Sequence, residues 1–469
     1  MARSQSTSAA SDEPIHLAIL GGGAAGCAAA EWAARHGARV TLCNSELALG
    51  GTCINVGCVP ARTLMHAATL YHRATNNPFS GLVTQATLVD FPALMTQTRK
   101  LVESLQHEHF GDMLERLPGV DYRNAHARLI SPTQIEVAGE RIDVDRTLIA
   151  TGSAPYIPEI EGLAGIDYLT NESLLAQRNC PASLIFLGTS DQGLMLAQTF
   201  SRLGARVIVL EERERILAGQ AVDISEVLTA SLREEGVHVV TDARVLRLKK
   251  KSDGMTEAVV QVGHGQRSFE ADRLVFTARR PRSEHLGLDE LGIKRDALGF
   301  IQVDETLQTN VAGIYAAGDV IGRSMYAYTA AHDASIAAHN AIMHTKMAGS
   351  YTAIPFVIYT DPQIACVGWD EAQARSHGFD VDVRLLPLSS VPAARAAYQT
   401  RGFVTLIRDR RSDHLIGARV VAAQGADLLM EAAMAIRYGL TVRDLAAMLH
   451  PSMTMSDAIR RAALAFEAD

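Results

Sequence analysis

Cys53 and Cys58 lie in the segment Gly50-Gly51-Thr52-Cys53-Ile54-Asn55-Val56-Gly57-Cys58-Val59-Pro60. Two thiols this close together can interconvert as a disulfide and a dithiol, and so store an electron pair. The segment follows shortly after a strand–glycine–helix–strand unit suited to a dinucleotide. A disulfide that takes electrons from a cofactor is the chemistry this pairing suggests. A structural role is the weaker reading, because 6 cysteines in 469 residues are too few for a disulfide-stapled secreted scaffold.

The elements that position the pair can be read from hydrophobic pattern and glycine placement. His16-Leu17-Ala18-Ile19-Leu20 reads as a buried parallel strand. Gly21-Gly22-Gly23-Ala24-Ala25-Gly26 follows, then an alanine-rich helix to about His36, a stop at Gly37, and the strand Arg39-Val40-Thr41-Leu42-Cys43. Gly21, Gly23 and Gly26 allow a tight turn, close approach of a pyrophosphate, and close helix–strand packing. The helix start, with Ala25, offers unpaired N–H groups to phosphate. The pattern recurs. Leu184-Ile185-Phe186-Leu187 leads into Gly188-Thr189-Ser190-Asp191-Gln192-Gly193, a helix to about Leu203, Gly204, and the strand Arg206-Val207-Ile208-Val209-Leu210. Here Ser190 replaces the middle glycine, and Gly188 and Gly193 are kept.

The residue ending each second strand bears on the cofactor. Glu211 lies 23 residues after Gly188, where a carboxylate accepts from both ribose hydroxyls and repels a 2′-phosphate. That favours NADH over NADPH, although Arg213 and Arg215 nearby leave NADPH possible. Asn44 lies 23 residues after Gly21 and keeps one acceptor oxygen for a ribose, with Glu46 as a substitute.

The chain as a whole fits roughly two to four domains. Its net charge of -8 gives no hint of a nucleic-acid surface, and Lys249-Lys250-Lys251 reads as a solvated turn. Residues 1–14 lack the apolar core of a signal peptide and read as a disordered leader. No apolar run reaches the roughly 18 residues of a membrane span, so a cytoplasmic protein is expected, with no membrane partner. Cys27, Cys43, Cys180 and Cys366 read as buried small apolar residues. His107-Glu108-His109 reads as a polar helix face, and no metal site is expected.

Together the motifs resemble the FAD-dependent pyridine nucleotide–disulfide oxidoreductases, over about residues 15–466. The markers stand in family order: the cysteine segment with Gly51 and Thr52, then Ile149-Ala150-Thr151-Gly152. The second nucleotide unit, Thr277-Ala278-Arg279-Arg280-Pro281, Ile314-Tyr315-Ala316-Ala317-Gly318-Asp319 and Tyr359-Thr360-Asp361-Pro362-Gln363-Ile364-Ala365-Cys366-Val367-Gly368 follow. Within the family the mercuric reductases look most similar, through Val391-Pro392-Ala393-Ala394-Arg395-Ala396, Thr400-Arg401-Gly402-Phe403 and Pro451-Ser452-Met453-Thr454-Met455.

The resemblance implies an α/β fold with two Rossmann-like nucleotide-binding domains, for FAD and NAD(P), plus a C-terminal α+β dimerisation domain. Its boundaries would be 15–150 with 281–350 for FAD, 151–280 for NAD(P), and 351–469 for the interface of a homodimer. Gly318 and Asp319 would hold the flavin's sugar-like chain. Thr151, Gly152 and Arg279 would also serve cofactor binding. Cys58 would be the thiolate beside the flavin and Cys53 the sulfur that meets substrate. His450 would be the acid–base group for that thiol. The implied reaction passes electrons between NAD(P)H and a small-molecule or lipoyl disulfide or dithiol. Reduction of mercuric or another soft metal ion is the alternative, and a flavoprotein whose substrate chemistry has decayed is a third.

Four departures bear on that choice. No cysteine follows Cys366, so the mercuric reductases' terminal pair has no counterpart. Ser452 stands at their tyrosine. The glutamate that orients the histidine five residues later is Met455, which implies a less well oriented base, with Asp457 pointing elsewhere. The family's lysine beside the flavin is Arg62, and its glutamate partner falls at Met195.

Overall fold

The computed structural model describes residues 13–467, so the expected leader falls outside the described residues except for its last two positions. The chain forms two compact units. One comprises residues up to 59 with 99–154 and 279–349, and the other residues 60–98, 155–278 and 350–469.

The first unit is built on a five-stranded parallel sheet. Its order is Ile314–Ala316, Arg146–Ile149, β1 (His16–Leu20), β2 (Arg39–Asn44) and Val120–Asn124. β1 is buried along its whole length, and its side chains alternate between two cores. Leu17 and Ile19 pack beneath α1 (Ala24–Arg35) and the helix Ala327–Met343, while Ala18 and Leu20 meet a three-stranded antiparallel sheet formed by 127–143. A strand covered on both faces must be apolar throughout, which is why β1 reads as an unbroken hydrophobic run.

The second unit repeats this plan in a parallel sheet ordered His238–Val240, Arg206–Leu210, Ser183–Leu187, Arg273–Phe276 and Tyr168–Thr170. Helices Asp191–Arg202 and Val222–Glu234 cover one face, and an antiparallel sheet spanning 243–271 covers the other. The unit also holds a five-stranded antiparallel sheet of 356–422, backed by helices Gly425–Arg437 and Asp457–Leu464. The helix and strand limits expected around Gly37 and Gly204 agree with the structure to within a residue or two.

The second unit carries a buried ionic cluster around Arg202. The Arg202 side chain, 2% exposed, pairs with Glu235 at 2.7 Å and Asp361 at 3.1 Å, and donates to Thr69 Oγ1 at 2.9 Å. Removing the cation strands two shielded carboxylates, which costs about 3–5 kcal/mol. Arg202→Met is therefore expected to lower the urea midpoint markedly. Glu234→Ala, which breaks only the exposed pair with Arg401, is expected to cost no more than about 1 kcal/mol.

Among the described residues, no helix is long and apolar enough to cross a membrane.

Candidate active site

The two cysteines are positioned by two helix starts. α2 (Gly51–Asn55) carries Cys53, and Cys58 is the first residue of α3 (Cys58–Thr75). Neither is joined in a disulfide in this structure, and their side chains share a hydrogen bond. That bond, followed by burial, pushes the Cys53 thiol well above its ordinary value. The pair therefore titrates as a unit: when one proton has left, Cys53 holds the other and donates to Cys58. Cys58 stands at the positive, N-terminal end of this 18-residue helix. Asn55 fixes the turn between them, donating from Nδ2 to the Ala48 carbonyl at 3.0 Å and the Gly51 carbonyl at 2.9 Å.

This loop is fastened to the first nucleotide turn. The Gly50 N–H donates to the Gly22 carbonyl at 2.8 Å, and a methyl group at Gly51 would lie 2.7 Å from Gly23 Cα. Gly21 has φ +113°, and a side chain there would stand 2.3 Å from the Ala150 carbonyl oxygen, next to Thr151. At Gly26 it would stand 1.7 Å from the Gly21 carbonyl oxygen, whereas at Gly23 it would meet nothing within 4 Å except Gly51 Cα at 3.9 Å. The turn is thus closed on the protein side and bare at Gly23. No side chain caps α1 and no acidic residue sits in its first turn, so the N–H groups around Ala25 fit a pyrophosphate. These features fit FAD.

Two of the expected flavin-side residues, Arg279 and Asp319, meet at one serine. Ser153, 3% exposed, donates from Oγ to Asp319 Oδ2 at 2.6 Å and accepts from Arg279 Nε at 2.7 Å. Arg279 also reaches Thr52 Oγ1 at 3.3 Å, so Thr52, Arg279 and Asp319 belong to one network beside the cysteine helix. Thr151 donates to the Arg282 carbonyl at 2.6 Å, and the Gly152 carbonyl accepts from the Arg282 N–H at 2.9 Å. Gly318 leaves room for Ala25 and Ala330, whose Cβ atoms lie 3.2 and 3.1 Å from where its own would be. Asn44 is engaged with its own loop: Oδ1 accepts from the Gly22 N–H at 3.0 Å, and Nδ2 donates to the Leu47 carbonyl at 2.8 Å. Glu46 is ion-paired with Arg282.

Gly188, Ser190, Gly193, Glu211, Arg62 and His450 lie in the second unit. Ser190 does more than stand in for a glycine: its hydroxyl caps the helix by accepting from the Gly193 N–H at 3.0 Å, and it donates to Thr277 Oγ1 at 2.7 Å. A side chain at Gly193 would meet Thr277 at 2.5 Å. Glu211 is buried, accepts from the Thr189 hydroxyl, and accepts from the Arg213 N–H at 2.9 Å. Arg215 is spent on the Leu217 and Ala218 carbonyls, which leaves the exposed Arg213 as the nearer candidate for a 2′-phosphate.

Arg62 stacks its guanidinium on the ring of Tyr359, 3.4 Å from the centroid, while Met195 is buried. The lost lysine–glutamate pair is replaced by a cation on an aromatic face. The expectation of a poorly oriented His450 is corrected. Its Nε2 lies 2.9 and 3.0 Å from the Glu431 carboxylate oxygens, a partner on another helix that the local motif does not reveal. Asp457 does point elsewhere, to Arg460 and Arg461.

Two further expectations need adjusting or placing. Cys27 and Cys43 are buried, but Cys180 and Cys366 are only partly so. His107, Glu108 and His109 are exposed on a π-helical turn, and no group of three metal-ligating side chains forms among the described residues.

The chain is similar to known proteins over most of its length. Residues 15–334 match the family described as pyridine nucleotide-disulphide oxidoreductase, and residues 354–463 its dimerisation domain. The mercuric reductase of Staphylococcus aureus is 35% identical over 98% of this chain and 83% of its own. Among solved structures, the HOCl-induced flavoprotein disulfide reductase RclA from Escherichia coli, as a Cu(II) complex, superposes with a TM-score of 0.83. It shares 26% identity over 95% of this chain and 98% of its own. LpdA from Mycobacterium tuberculosis gives a TM-score of 0.84 at 26% identity, over 96% of this chain and 99% of its own.

Proposed function

Since the chain belongs to the pyridine nucleotide-disulphide oxidoreductase family, we propose that it takes a hydride from NADH and delivers the electron pair, through Cys53 and Cys58, to a small-molecule or lipoyl disulfide. The hydrogen-bonded thiol pair, beside a turn fit for a pyrophosphate, carries this reading. FAD held by the Gly21–Gly26 turn, with Asp319 on its sugar-like chain, would supply the two-electron exchange between nicotinamide and sulfur.

The protein's own groups do the rest. Cys58 holds thiolate character at the start of α3, and Cys53 is the sulfur offered to substrate. Oxidation of the two thiols to a disulfide yields two electrons and two protons, which convert the substrate S–S bond to two thiols. Asn55 and the Gly50–Gly22 hydrogen bond hold the pair against the cofactor turn. Ser153 orients Asp319 and Arg279. The working form is a homodimer joined through the C-terminal domain.

Glu211 favours NADH. Charge-assisted hydrogen bonds contribute about 1.5–3 kcal/mol, so Glu211→Ala is expected to cut the preference for NADH over NADPH by about tenfold or more. Ratios of kcat/KM for the two nucleotides measure this.

Soft metal-ion reduction is the second reading, favoured by the similarity to mercuric reductase and to a Cu(II)-binding disulfide reductase. Anaerobic NADH oxidation with lipoamide, low-molecular-weight disulfides, Hg(II) and Cu(II) separates the two. Turnover with disulfides is expected. Turnover with the metal ions alone would replace the first reading by the second, and turnover with neither would leave a flavoprotein without substrate chemistry.

A further inference from the structure

We propose that Thr189 is a specificity-determining residue, whose hydroxyl fixes the Glu211 carboxylate in the orientation that accepts an adenosine ribose and turns away a 2′-phosphate. The assignment deepens the NADH reading above and rests on it.

The Glu211 backbone is held without help from side chains. Its N–H donates to the Val240 carbonyl at 2.9 Å, and its own carbonyl accepts from the Ala243 N–H at 2.9 Å. The Gly188 N–H donates to the Leu210 carbonyl at 2.8 Å, which ties the nucleotide turn to the same strand end. The orientation of the carboxylate is a separate matter. Two donors hold it, one on each oxygen: the Thr189 hydroxyl on Oε2, and the Arg213 N–H on Oε1 at 2.9 Å. A carboxylate offers about four lone-pair positions, so each oxygen keeps one for a ligand. Two neighbouring ribose hydroxyls need that number.

A third group fixes Thr189 in turn. An ionised carboxylate only accepts, so the Thr189 hydroxyl donates to it, and the Leu217 N–H donates to Thr189 Oγ1 at 3.2 Å. Leu217 is buried and has φ +49°, in the left-handed region. A leucine keeps that conformation only where its surroundings hold it. Here its carbonyl accepts from the Gln220 N–H at 2.7 Å and from Arg215 Nη1 at 3.3 Å, and the neighbouring Ile216 is wholly buried. The loop thus presents the Leu217 N–H from a fixed place, and the Thr189 hydroxyl carries that fixity to Glu211. Ser190, the other hydroxyl of the turn, is engaged with Gly193 and Thr277 instead.

A carboxylate clamped at both oxygens cannot rotate away from a 2′-phosphate, so NADPH meets its negative charge in full. Without the Thr189 hydroxyl, Oε2 loses its donor and the side chain gains rotamers. The exposed Arg213 is then left to attract the phosphate.

The test is anaerobic stopped-flow reduction of the flavin in holoenzyme by NADH and by NADPH. It needs no disulfide substrate, so it stands apart from the thiol chemistry. Thr189→Val keeps the size of the side chain and removes the hydroxyl. It is expected to lower the NADH-to-NADPH ratio of second-order rate constants about tenfold, with the loss for NADH appearing in its apparent Kd. Thr189→Ser, which restores the hydroxyl, should stay within about threefold of wild type, and Thr189→Ala should fall as Thr189→Val does. In a Glu211→Ala background, Thr189→Val should change the ratio by less than about twofold, because the carboxylate it acts through is gone. A ratio unmoved in both Thr189→Val and Thr189→Ala, with FAD content and melting temperature retained, overturns the assignment. An equal fall in the Glu211→Ala background overturns it as well. The wild-type ratio reports separately on the NADH reading: a wild type that prefers NADPH ends that reading, and the Thr189→Val shift relative to wild type still decides whether Thr189 sets the carboxylate.

Discussion

Cys58→Ser is expected to give an enzyme that binds FAD and is still reduced by NADH, yet passes no electrons to a disulfide. A serine hydroxyl cannot form the Cys53–Cys58 bond, so the electron pair has no store between cofactor and substrate. The loss in disulfide turnover should reach about a thousandfold or more, the scale seen when a residue essential to the chemical step is removed. The hydroxyl also gains nothing useful from the α3 helix end, because that dipole shifts a thiol toward its anion far more readily than an alcohol. Cys53→Ala should match it in turnover. The two variants differ in spectrum: with Cys58 intact, Cys53→Ala retains the sulfur that develops thiolate character, and Cys58→Ser does not. Stopped-flow reduction by NADH, followed by mixing with oxidised lipoamide, checks both. Disulfide turnover within tenfold of wild type in Cys58→Ser would remove this cysteine from the mechanism.

Gly51→Val is expected to be nearly as damaging by a different route. Gly51 has φ +58°, which a β-branched residue adopts only under strain, and its Cβ would come 2.7 Å from the backbone of Gly23. The atom met is Gly23 Cα, and a Cβ is fixed by its own backbone, so neither can swing aside. The redox loop must part from the nucleotide turn, breaking the Gly50–Gly22 hydrogen bond. Purified Gly51→Val should carry less than about a tenth of the wild-type FAD, and its melting temperature should fall by several degrees, as a loss of about 1–3 kcal/mol at a strained backbone site implies. Full flavin content in this variant would show that the two loops are not coupled.

These residues were legible in the sequence because their roles are local. Gly21, Gly26 and Gly51 announce close backbone approach, and Cys53 and Cys58, five positions apart in a glycine-rich segment beside a nucleotide turn, stand within hydrogen-bond reach of each other. Ser153 was illegible for the opposite reason. Its partner Asp319 is 166 positions away, and a lone serine after Gly152 looks like any loop residue. Glu431 is 19 positions from His450 on a separate helix, so the missing glutamate at Met455 read as a loss when the fold had moved the carboxylate elsewhere. Arg62 read as a flavin-side charge deprived of its partner; tertiary packing gives it the face of Tyr359. The parallel sheets showed themselves as unbroken apolar runs such as Leu184–Leu187. The antiparallel sheet of 243–271 did not, because strands like Ala243–Lys250 carry charged residues on the exposed face and short apolar stretches on the other.

Counting thiols tests the central claim most directly. Of the 6 cysteines, two should be joined in the oxidised protein and four free. Air-oxidised holoenzyme, denatured anaerobically and titrated with a thiol reagent, should show the four. The same protein first reduced with NADH should show all 6, and the increment of two should vanish in Cys53→Ala. An unchanged count after NADH has fully reduced the flavin would contradict electron passage through Cys53 and Cys58.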